Sequence, residues 1–473
     1  MIASSTKDSG LTRGTLLYTK RTLISLFFWI LWGDFCLQFM GTVVQGVLPL
    51  MMAQWKAPAI CIGLFVTTIP AFLNFLITPL VSVWSDRHRG KWGRRIPFLL
   101  IPTPFVVLFL LGIAGTERLA HGLHALVPGA WSFNACRLGV LGVMVVAFQV
   151  ANMVVSSIYY YLFNDVVPES RMGRFLGLFR IVSIAAGAAF QFLAFPHADK
   201  YAADIFGWSA LLYGVGFGLM CFKIREGKYP EPEPLAEKHP FRIAFTLLRQ
   251  CFGTKFFRTY ALFNGAFTFS MAWNPFIQVM LVNVGLSYKH VGVLMGLSSC
   301  ASALISYPAG ILVDRFRPFR VAIWGMSLFA LSQVVYLPLF SPMGAGQNAL
   351  WLMGSALLLS TVGLSVFQGA AMPLHMFVFP PEKYGQFSGA VGILNALSSM
   401  AGGLVAGVAT DAILRGFGQK TAWAFAPIGM LFSLLICLTL LKRSLWLWNR
   451  EVADRKVVPE CVLPNAAIAD LRT

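Results

Sequence analysis

A single acidic residue, Asp34, lies near the middle of a long apolar segment that covers residues 23–52. Gln38 follows one helical turn later on the same helix face, and Trp32 lies two residues before Asp34. A carboxylate and an amide bind hydroxyl groups, while an indole ring packs on the apolar face of a sugar ring. A charge at the bilayer centre costs about 2.5–3.5 kcal/mol on insertion scales, so such residues generally face a pathway or a partner. We therefore expect a hydroxyl-binding site here, with pairing of Asp34 to a neighbouring helix as the structural alternative.

A stripe of polar side chains runs along a second apolar segment, residues 136–163, and just beyond its end. Its members recur at steps of three or four and so share one helix face: Gln149, Asn152, Ser156, Tyr160 and Asn164. Hydrogen bonding between helices is a common use of such residues in membranes. Five of them on one face instead favour a water-lined surface. We assign Gln149, Asn152 and Tyr160 to the binding site.

Arg180 lies just over one turn inside a further apolar segment, residues 175–196. The short loop before it makes two helices antiparallel neighbours, which brings Asp165 to a matching depth. An Asp165–Arg180 ion pair is therefore one prediction. The other is that Arg180 reaches the binding site, where its guanidinium donates a bidentate hydrogen bond to the substrate or to Asp34.

Polar side chains are sparser in the apolar segments of the second half of the chain. Asn274 and Gln278, one turn apart within residues 259–285, are assigned to the binding site. His375 is close to the end of its segment and is expected to face a loop. The cysteines and histidines lack the spacing of metal ligands, and the sequence shows no nucleophile motif or phosphate-binding loop. We therefore predict no metal, no cofactor and no enzyme activity.

The elements that must hold these residues are helices long enough to cross a membrane. Of the 473 residues, 57% are hydrophobic and 12% charged, whereas soluble domains carry about 25% charged residues. The composition excludes a soluble enzyme, a disulfide scaffold and a disordered chain, and it predicts an all-α protein embedded in a lipid bilayer. Twelve apolar segments are suited to spanning about 30 Å of hydrocarbon. They cover residues 23–52, 59–84, 97–115, 136–163, 175–196, 205–222, 259–285, 290–313, 321–340, 349–377, 387–413 and 422–441.

The net charge of +18 is distributed in a way that indicates orientation. If the N-terminus is cytoplasmic, 29 of the 37 Lys and Arg residues fall on the cytoplasmic side and seven on the other. This asymmetry is the positive-inside pattern, so we expect both termini in the cytoplasm. Because the basic residues are spread over many short loops, nucleic-acid binding is not favoured. Short loops without glycosylation sequons favour a cell inner membrane.

Two loop motifs occur twice in the chain. The first motif contains Asp86 in one copy and Asp314 in the other, 228 residues later. The second motif contains Glu169 in one copy and Glu382 in the other, 213 residues later. A parallel repeat of six segments is typical of a transporter built from two pseudo-symmetric halves. The predicted domains are an N-terminal half, a cytoplasmic linker that includes a short interfacial helix over 241–252, a C-terminal half and a cytoplasmic tail. Their bounds are 1–222, 223–258, 259–441 and 442–473.

The loop Ser85-Asp86-Arg87-His88-Arg89-Gly90-Lys91-Trp92-Gly93-Arg94-Arg95 resembles the signature of the major facilitator superfamily. Together with Val150-Ala151-Asn152, it resembles the plant sucrose transporters and, more distantly, the glycoside–pentoside–hexuronide cation symporters. Asp34-Phe35-Cys36 resembles a motif of the animal relatives of the sucrose transporters. The resemblance implies twelve transmembrane helices in two six-helix bundles, which alternate access to a sugar. The charged loop residues are then expected to form a gate that holds the two halves together on the cytoplasmic side. These residues are Asp86, Arg87, Arg94, Arg95, Asp165, Asp314 and Arg315.

This sequence departs from that group at the positions that carry coupling ions. Asn74 and Thr78 stand where the melibiose permeases have sodium-binding aspartates, and Gln149 stands where the sucrose transporters have an aspartate linked to proton coupling. Asp34 is thus the remaining candidate for a coupling site. We expect a monomeric sugar or oligosaccharide transporter in which a proton could be coupled at Asp34. A uronate-like anionic solute and an uncoupled sugar uniporter are the alternatives.

Overall fold

The computed structural model describes residues 12–13, 15–126, 131–227, 253–283, 286–340, 347–379, 384–417 and 419–453. Nearly all of these residues are helical. Within these ranges the strands are Thr12–Arg13 and Leu16–Leu17, which pair antiparallel as a short hairpin. The predicted all-α fold class is confirmed.

Eleven helices in the described residues are long and apolar enough to cross a membrane, so the chain is a multi-pass membrane protein. They agree in position with eleven of the twelve predicted segments, and we number them as spans accordingly. Spans 1 to 6 are Lys20–Gln54, Ala59–Arg87, Ile96–Ala114, Phe133–Val166, Glu169–His197 and Ala202–Lys223. Spans 8 to 12 are Tyr288–Arg315, Pro318–Phe340, Asn348–Val378, Gln386–Gly416 and Trp423–Arg450.

The seventh predicted segment, residues 259–285, differs from the others because it forms two shorter helices. They are Lys255–Met271 and Asn274–Asn283. Pro275 explains the break, since a proline has no N–H to donate and its ring clashes with the carbonyl four residues earlier. At the second position of the new helix, however, a missing N–H costs nothing. The segment is therefore helical, as expected, with a turn at residues 272–273 between its two helices.

Several spans of the first half are built from shorter pieces. Span 2 consists of Ala59–Ile62, the π-helix Gly63–Thr68 and Ile69–Arg87. Span 3 consists of Ile96–Leu100 and Pro102–Ala114, and the helix Thr116–Leu126 follows it. Span 5 consists of Glu169–Arg171, Met172–Ala189, the π-helix Phe190–Ala194 and Phe195–His197. Such π-helical turns inside α-helices are frequent at functional sites.

The described residues divide into two compact units. Unit 1 comprises residues 12–227 with 286–300, and unit 2 comprises residues 253–283 with 301–453. In unit 2 the helices after Arg315 are Pro318–Tyr336, Leu337–Phe340, Gln347–Val378, Tyr384–Phe417 and Gln419–Ala453. The last helix therefore continues twelve residues beyond the predicted end of the C-terminal half at 441. The expected interfacial helix over 241–252 and Glu382 lie outside the described residues.

Spans 9 and 10 cross closely at two glycines of unit 2. A Cβ atom on Gly325 would lie 2.5 Å from the backbone nitrogen of Phe367 and 2.8 Å from the carbonyl oxygen of Gly363. A Cβ atom on Gly363 would lie 2.9 Å from the carbonyl oxygen of Gly325. Only residues without a side chain allow backbones to approach this closely, which is how many membrane helices associate.

Large apolar side chains are exposed along the spans of both units. Trp208 and Leu193 in unit 1 are 71% and 72% exposed, and Trp351 in unit 2 is 78% exposed. A water-soluble protein rarely presents such extensive apolar surface. These faces suit contact with lipid, so the polar groups described below must be held inside the bundles or at their ends.

Candidate functional site

Asp34 is the centre of a buried polar cluster in unit 1. Its side chain is fully buried, and the Ser183 hydroxyl on span 5 donates a hydrogen bond of 2.5 Å to its Oδ2 atom. The Gln38 amide, one turn further along span 1, donates to Oδ1 at 3.4 Å. Both partners are neutral donors, so Asp34 is paired with the neighbouring span 5, as the structural alternative predicted, while its role in binding hydroxyl groups stays a prediction.

Span 4 brings two adjacent tyrosines to different environments beside this cluster. Tyr159 is fully buried and donates a hydrogen bond to the carbonyl oxygen of Ile30 on span 1. Tyr160 is 44% exposed, and its hydroxyl interacts with the side chain of Gln38. Because neighbouring residues point about 100° apart on a helix, one tyrosine packs the bundle while the other extends the Asp34 cluster to an exposed aromatic ring.

The remaining residues of the polar stripe on span 4 become more exposed towards the end of the helix. Gln149 is buried, Asn152 is half-buried and Asn164 is exposed. The Oδ1 atom of Asn152 is buried without a hydrogen-bond partner in the described part of the chain. Most buried polar atoms in proteins do have a partner, so this oxygen is a point where a bound solute could donate a hydrogen bond.

Trp32 and Arg180 differ in their relation to the Asp34 cluster. Trp32 stacks on Phe35 at 5.7 Å, and its ring nitrogen approaches Gly216 of span 6, on a side of span 1 away from Asp34. The structure therefore does not bring Trp32 to this cluster. Arg180 is exposed and lies one turn before Ser183 on the same side of span 5.

Four of the charged residues assigned to the gate, Asp86, Arg94, Arg95 and Asp165, form one connected network in unit 1. Arg94 binds the carboxylate of Asp165 through Nε and Nη2, at 2.9 and 2.7 Å, and Arg95 Nε binds it at 3.0 Å. Arg95 also donates to Asp86 and to the hydroxyl of Ser85. Asp165 and Arg95 keep only 10% and 6% of their side-chain surface exposed. The network thus ties the ends of spans 2 and 4 to the start of span 3.

Glu226 completes this network from the residues that follow span 6. Its Oε1 atom accepts hydrogen bonds from the backbone nitrogens of Arg95 and Ile96, at 2.8 and 2.7 Å, and Oε2 accepts from that of Arg94 at 3.0 Å. The carboxylate thereby caps the N–H groups at the start of span 3. Burial raises the pKa of Glu226, and the nearby charge of Asp165 adds to this, although the three amide hydrogen bonds oppose it.

These contacts correct the hypothesis of an Asp165–Arg180 ion pair. The guanidinium groups that bind Asp165 come from Arg94 and Arg95. Spacing alone favoured Arg180 because the loop between spans 4 and 5 is short. The loop between spans 2 and 3 places Arg94 and Arg95 at the same end of the bundle as Asp165. Because these residues are distant in the sequence, spacing does not indicate that they are close.

The predicted site residues of unit 2 are not gathered into a comparable cluster. Asn274 is exposed and contacts the sulfur of Met271 at 3.7 Å, while Gln278 is half-buried with an Oε1 atom that lacks a partner among the described residues. Asp314 and Arg315 are exposed at the end of span 8. Arg87 is exposed too, and the gating role of all the residues assigned to the gate stays a prediction.

His375 is inside the bundle of unit 2, whereas the sequence suggested that it faces a loop. Its Nε2 atom lies 3.1 Å from Oδ1 of Asn264, and its ring stacks on Phe379 at 5.3 Å. The imidazole is half-buried. Proximity to the end of an apolar segment was therefore a poor guide to the environment of this side chain.

Sequence reasoning missed three sets of contacts that matter. Ser183 shares a helix side with Arg180, but nothing local connects it with Asp34. Glu226 follows span 6 in a stretch read as linker. Thr78 donates to Asn74 at 2.6 Å and contacts Ser157 of span 4 at 2.9 Å, so these neutral residues satisfy one another.

Comparison with solved structures shows a shared fold. A mutant of the nucleoside transporter NupG matches with a TM-score of 0.68 and 13% identity, covering 89% of this chain and 99% of that one. A bacterial homologue of the human lysosomal transporter Spinster matches with a TM-score of 0.63 and 15% identity, covering 93% and 100%. A bacterial homologue of the iron transporter ferroportin, in its inward-facing state, has a TM-score of 0.63, 15% identity and coverage of 89% and 99%. No curated protein matches the sequence.

The family comparison covers most of the chain. The model of the Major Facilitator Superfamily matches residues 30–403 and again residues 259–456. These ranges include the Asp34 cluster, the loop network of unit 1 and the whole described part of unit 2. The chain is therefore a membrane transporter, and not an enzyme, that belongs to the Major Facilitator Superfamily.

Proposed function

We propose that this transporter carries a mono- or oligosaccharide across the membrane by alternating access. The observation that carries the proposal is the buried Asp34 carboxylate, hydrogen-bonded to Ser183 and Gln38 inside the first span. A carboxylate accepts hydrogen bonds from sugar hydroxyls, and an amide both donates and accepts them.

Two further features of unit 1 support a sugar as the substrate. Tyr160 is 44% exposed, and its hydroxyl interacts with the side chain of Gln38. Its ring therefore offers an apolar surface next to the polar cluster. Asn152, about two turns away on the same face of span 4, has a buried Oδ1 atom without a partner in the described residues. Binding sites combine mostly apolar walls with a few placed polar groups, and a pyranose ring presents the matching pattern.

Proton coupling at Asp34 is the mechanistic part of the proposal. Among the described residues of the eleven candidate spans, Asp34 is the acid farthest from either end, 14 residues after Lys20 and 20 before Gln54. Acidic residues at such depth commonly bind and release protons in transporters. A sugar hydroxyl that displaces Ser183 or Gln38 would change the hydrogen bonding of the carboxylate and so link substrate binding to protonation.

Uptake of radiolabelled sugars into proteoliposomes tests the proposal. A panel of glucose, galactose, sucrose and melibiose is offered with an inward proton gradient, with a sodium gradient and with neither. We expect accumulation of at least one sugar under the proton gradient, and at most passive exchange of it by Asp34→Asn. Glu117→Gln is the matched control, because Glu117 is an exposed acid of unit 1 on the helix after span 3.

Two outcomes would contradict the proposal. Proton-driven accumulation that survives Asp34→Asn would remove the coupling role from this residue. Absence of binding and uptake for every sugar, by a protein that transports another solute in the same vesicles, would refute the substrate class.

An anionic sugar such as a uronate is a second candidate, and the exposure of Arg180 one turn from Ser183 favours it. A guanidinium binds a carboxylate through two parallel hydrogen bonds. Glucuronate uptake that exceeds glucose uptake, and that Arg180→Gln abolishes selectively, would support this candidate over a neutral sugar.

We also propose the orientation and setting of the transporter. The excess of Lys and Arg in alternate loops supports cytoplasmic termini, and the short loops support a cell inner membrane. The protein is proposed to act as a monomer. Labelling from outside intact cells tests the orientation, with single cysteines introduced at position 20 and at position 56 of a variant that lacks the eight native cysteines: only position 56 should react.

A further inference from the structure

A cavity of about 700 Å³ lies at the end of unit 1 that carries the Arg94–Asp165 network. It is formed between the loop that joins spans 2 and 3 and the residues at the end of span 6. Its side-chain lining includes Arg89, Lys91, Trp92, Arg94, Arg225 and Glu226. The cavity is separate from the Asp34 cluster, and none of the functions proposed above uses it.

The lining of this cavity has more basic than acidic residues, although one of the basic residues, Arg94, is already paired with Asp165. Four of its residues are basic and one, Glu226, is acidic. Both carboxylate oxygens of Glu226 already accept hydrogen bonds from backbone nitrogens of the loop. Lys91 and Arg225 are exposed, so their charges are available at the opening of the cavity. The chemistry that this arrangement recognises is a phosphate-type anion.

The position of the cavity indicates where such an anion comes from. Span 2 ends at Arg87, span 3 begins at Ile96 and span 6 ends at Lys223, so the cavity lies at the boundary between apolar helix and polar loop. Trp92 and Phe222, which also line it, are 55% and 65% exposed and contact each other edge to face at 6.2 Å. Aromatic side chains of this kind are enriched at the headgroup level of a bilayer.

We propose that this cavity binds the phosphodiester headgroup of an anionic phospholipid. Basic pockets at membrane helix ends recognise anionic headgroups through several Lys and Arg side chains acting together. The apolar rim of Trp92 and Phe222 receives the first carbons of the acyl chains. The bound lipid joins the loop to the end of span 6, the same two segments that Glu226 connects, and so stabilises the network around Asp165.

Native mass spectrometry of the purified full chain tests the proposal. The protein in detergent is titrated with phosphatidylglycerol and, separately, with phosphatidylcholine of the same acyl chains. We expect selective binding of phosphatidylglycerol, and a loss of about tenfold or more in its affinity in the double variant Lys91→Gln/Arg225→Gln. Lys20→Gln/Arg21→Gln is the matched control, because these two exposed basic residues begin span 1 and do not line the cavity.

Melting temperatures measured in the same detergent show whether the cavity binds a lipid headgroup or a soluble anion. Phosphatidylglycerol should raise the melting temperature of the wild-type protein, while inorganic phosphate at the same phosphorus concentration should not. Equal stabilisation by inorganic phosphate would replace the lipid with a soluble phosphate ligand and overturn the proposal. Equal affinity for the two lipids in the wild-type protein, or equal losses in the two double variants, would also overturn it. The wild-type comparison decides the matter even if a variant fails to fold.

Discussion

Substitution of Asp165 by asparagine is the sharpest test of the charge network in unit 1. The asparagine side chain has nearly the same shape, so packing is retained while the negative charge is removed. Arg94 then loses a bidentate partner, and Arg95 loses one of its acceptors. We expect strong destabilisation of the N-terminal bundle.

The expected decrease in the free energy of unfolding follows from the burial of the ion-paired side chains. The side chains of Asp165 and Arg95 are 10% and 6% exposed, and removal of one partner from a buried ion pair costs about 3–5 kcal/mol. Arg95 keeps its hydrogen bonds to Asp86 and Ser85, which reduces the loss. We therefore place the expected decrease in the free energy of unfolding near the lower end, at about 3 kcal/mol.

The assay is chemical unfolding in detergent micelles, with Glu169→Gln as the matched control. Glu169 also pairs with an arginine, Arg13, but its side chain is 84% exposed, so its loss should cost about 0–1 kcal/mol. A double-mutant cycle with Arg94→Gln should give a coupling energy of about 1 kcal/mol or more between Arg94 and Asp165. Equal effects of Asp165→Asn and Glu169→Gln would refute the reasoning, since burial would then make no difference.

Three other outcomes are expected. Because burial raises the pKa of Glu226 in the folded protein, its contribution to stability is fully present below the usual glutamate pKa of about 4.3 and is lost as pH rises through the folded value. The melting-temperature advantage of wild type over Glu226→Gln should accordingly shrink with rising pH, and an advantage that grows would contradict this sign. Gly363→Ala should destabilise the protein by about 1–3 kcal/mol, because the added methyl group overpacks the contact between spans 9 and 10. Gly392→Ala should be neutral or stabilising in the same denaturation assay, because a Cβ atom at that position meets open space. Sodium should leave sugar uptake unchanged because Asn74 and Thr78 offer only neutral oxygens that already bind each other; sodium-driven accumulation would show that this argument is wrong.

The sequence by itself determined the class of protein and the position of its spans. A membrane-spanning helix satisfies its own backbone hydrogen bonds, so an apolar run of sufficient length is enough to predict it. Eleven of the twelve segments were identified in this way. The remaining segment is divided into two helices at Pro275, and the effect of a proline on a helix is also local. Asp34 was also identified from local sequence. The cost of a charge in the bilayer depends on its depth, and the number of residues between Asp34 and the ends of its apolar segment indicates that depth.

Partners of the polar residues were decided by the tertiary structure alone. Asp34 is hydrogen-bonded to Ser183 and Asp165 is bound by Arg94, across 149 and 71 residues of chain. Helical periodicity shows which residues share a face, but it does not show which neighbouring helix packs against that face. The pair predicted for Asp165 was wrong because several arginines lie at the same end of the bundle, and the choice among them depends on packing geometry. Glu226 belonged to no recognisable motif, since its role is to accept backbone hydrogen bonds from a loop 130 residues away, and that contact exists only once the helices have assembled.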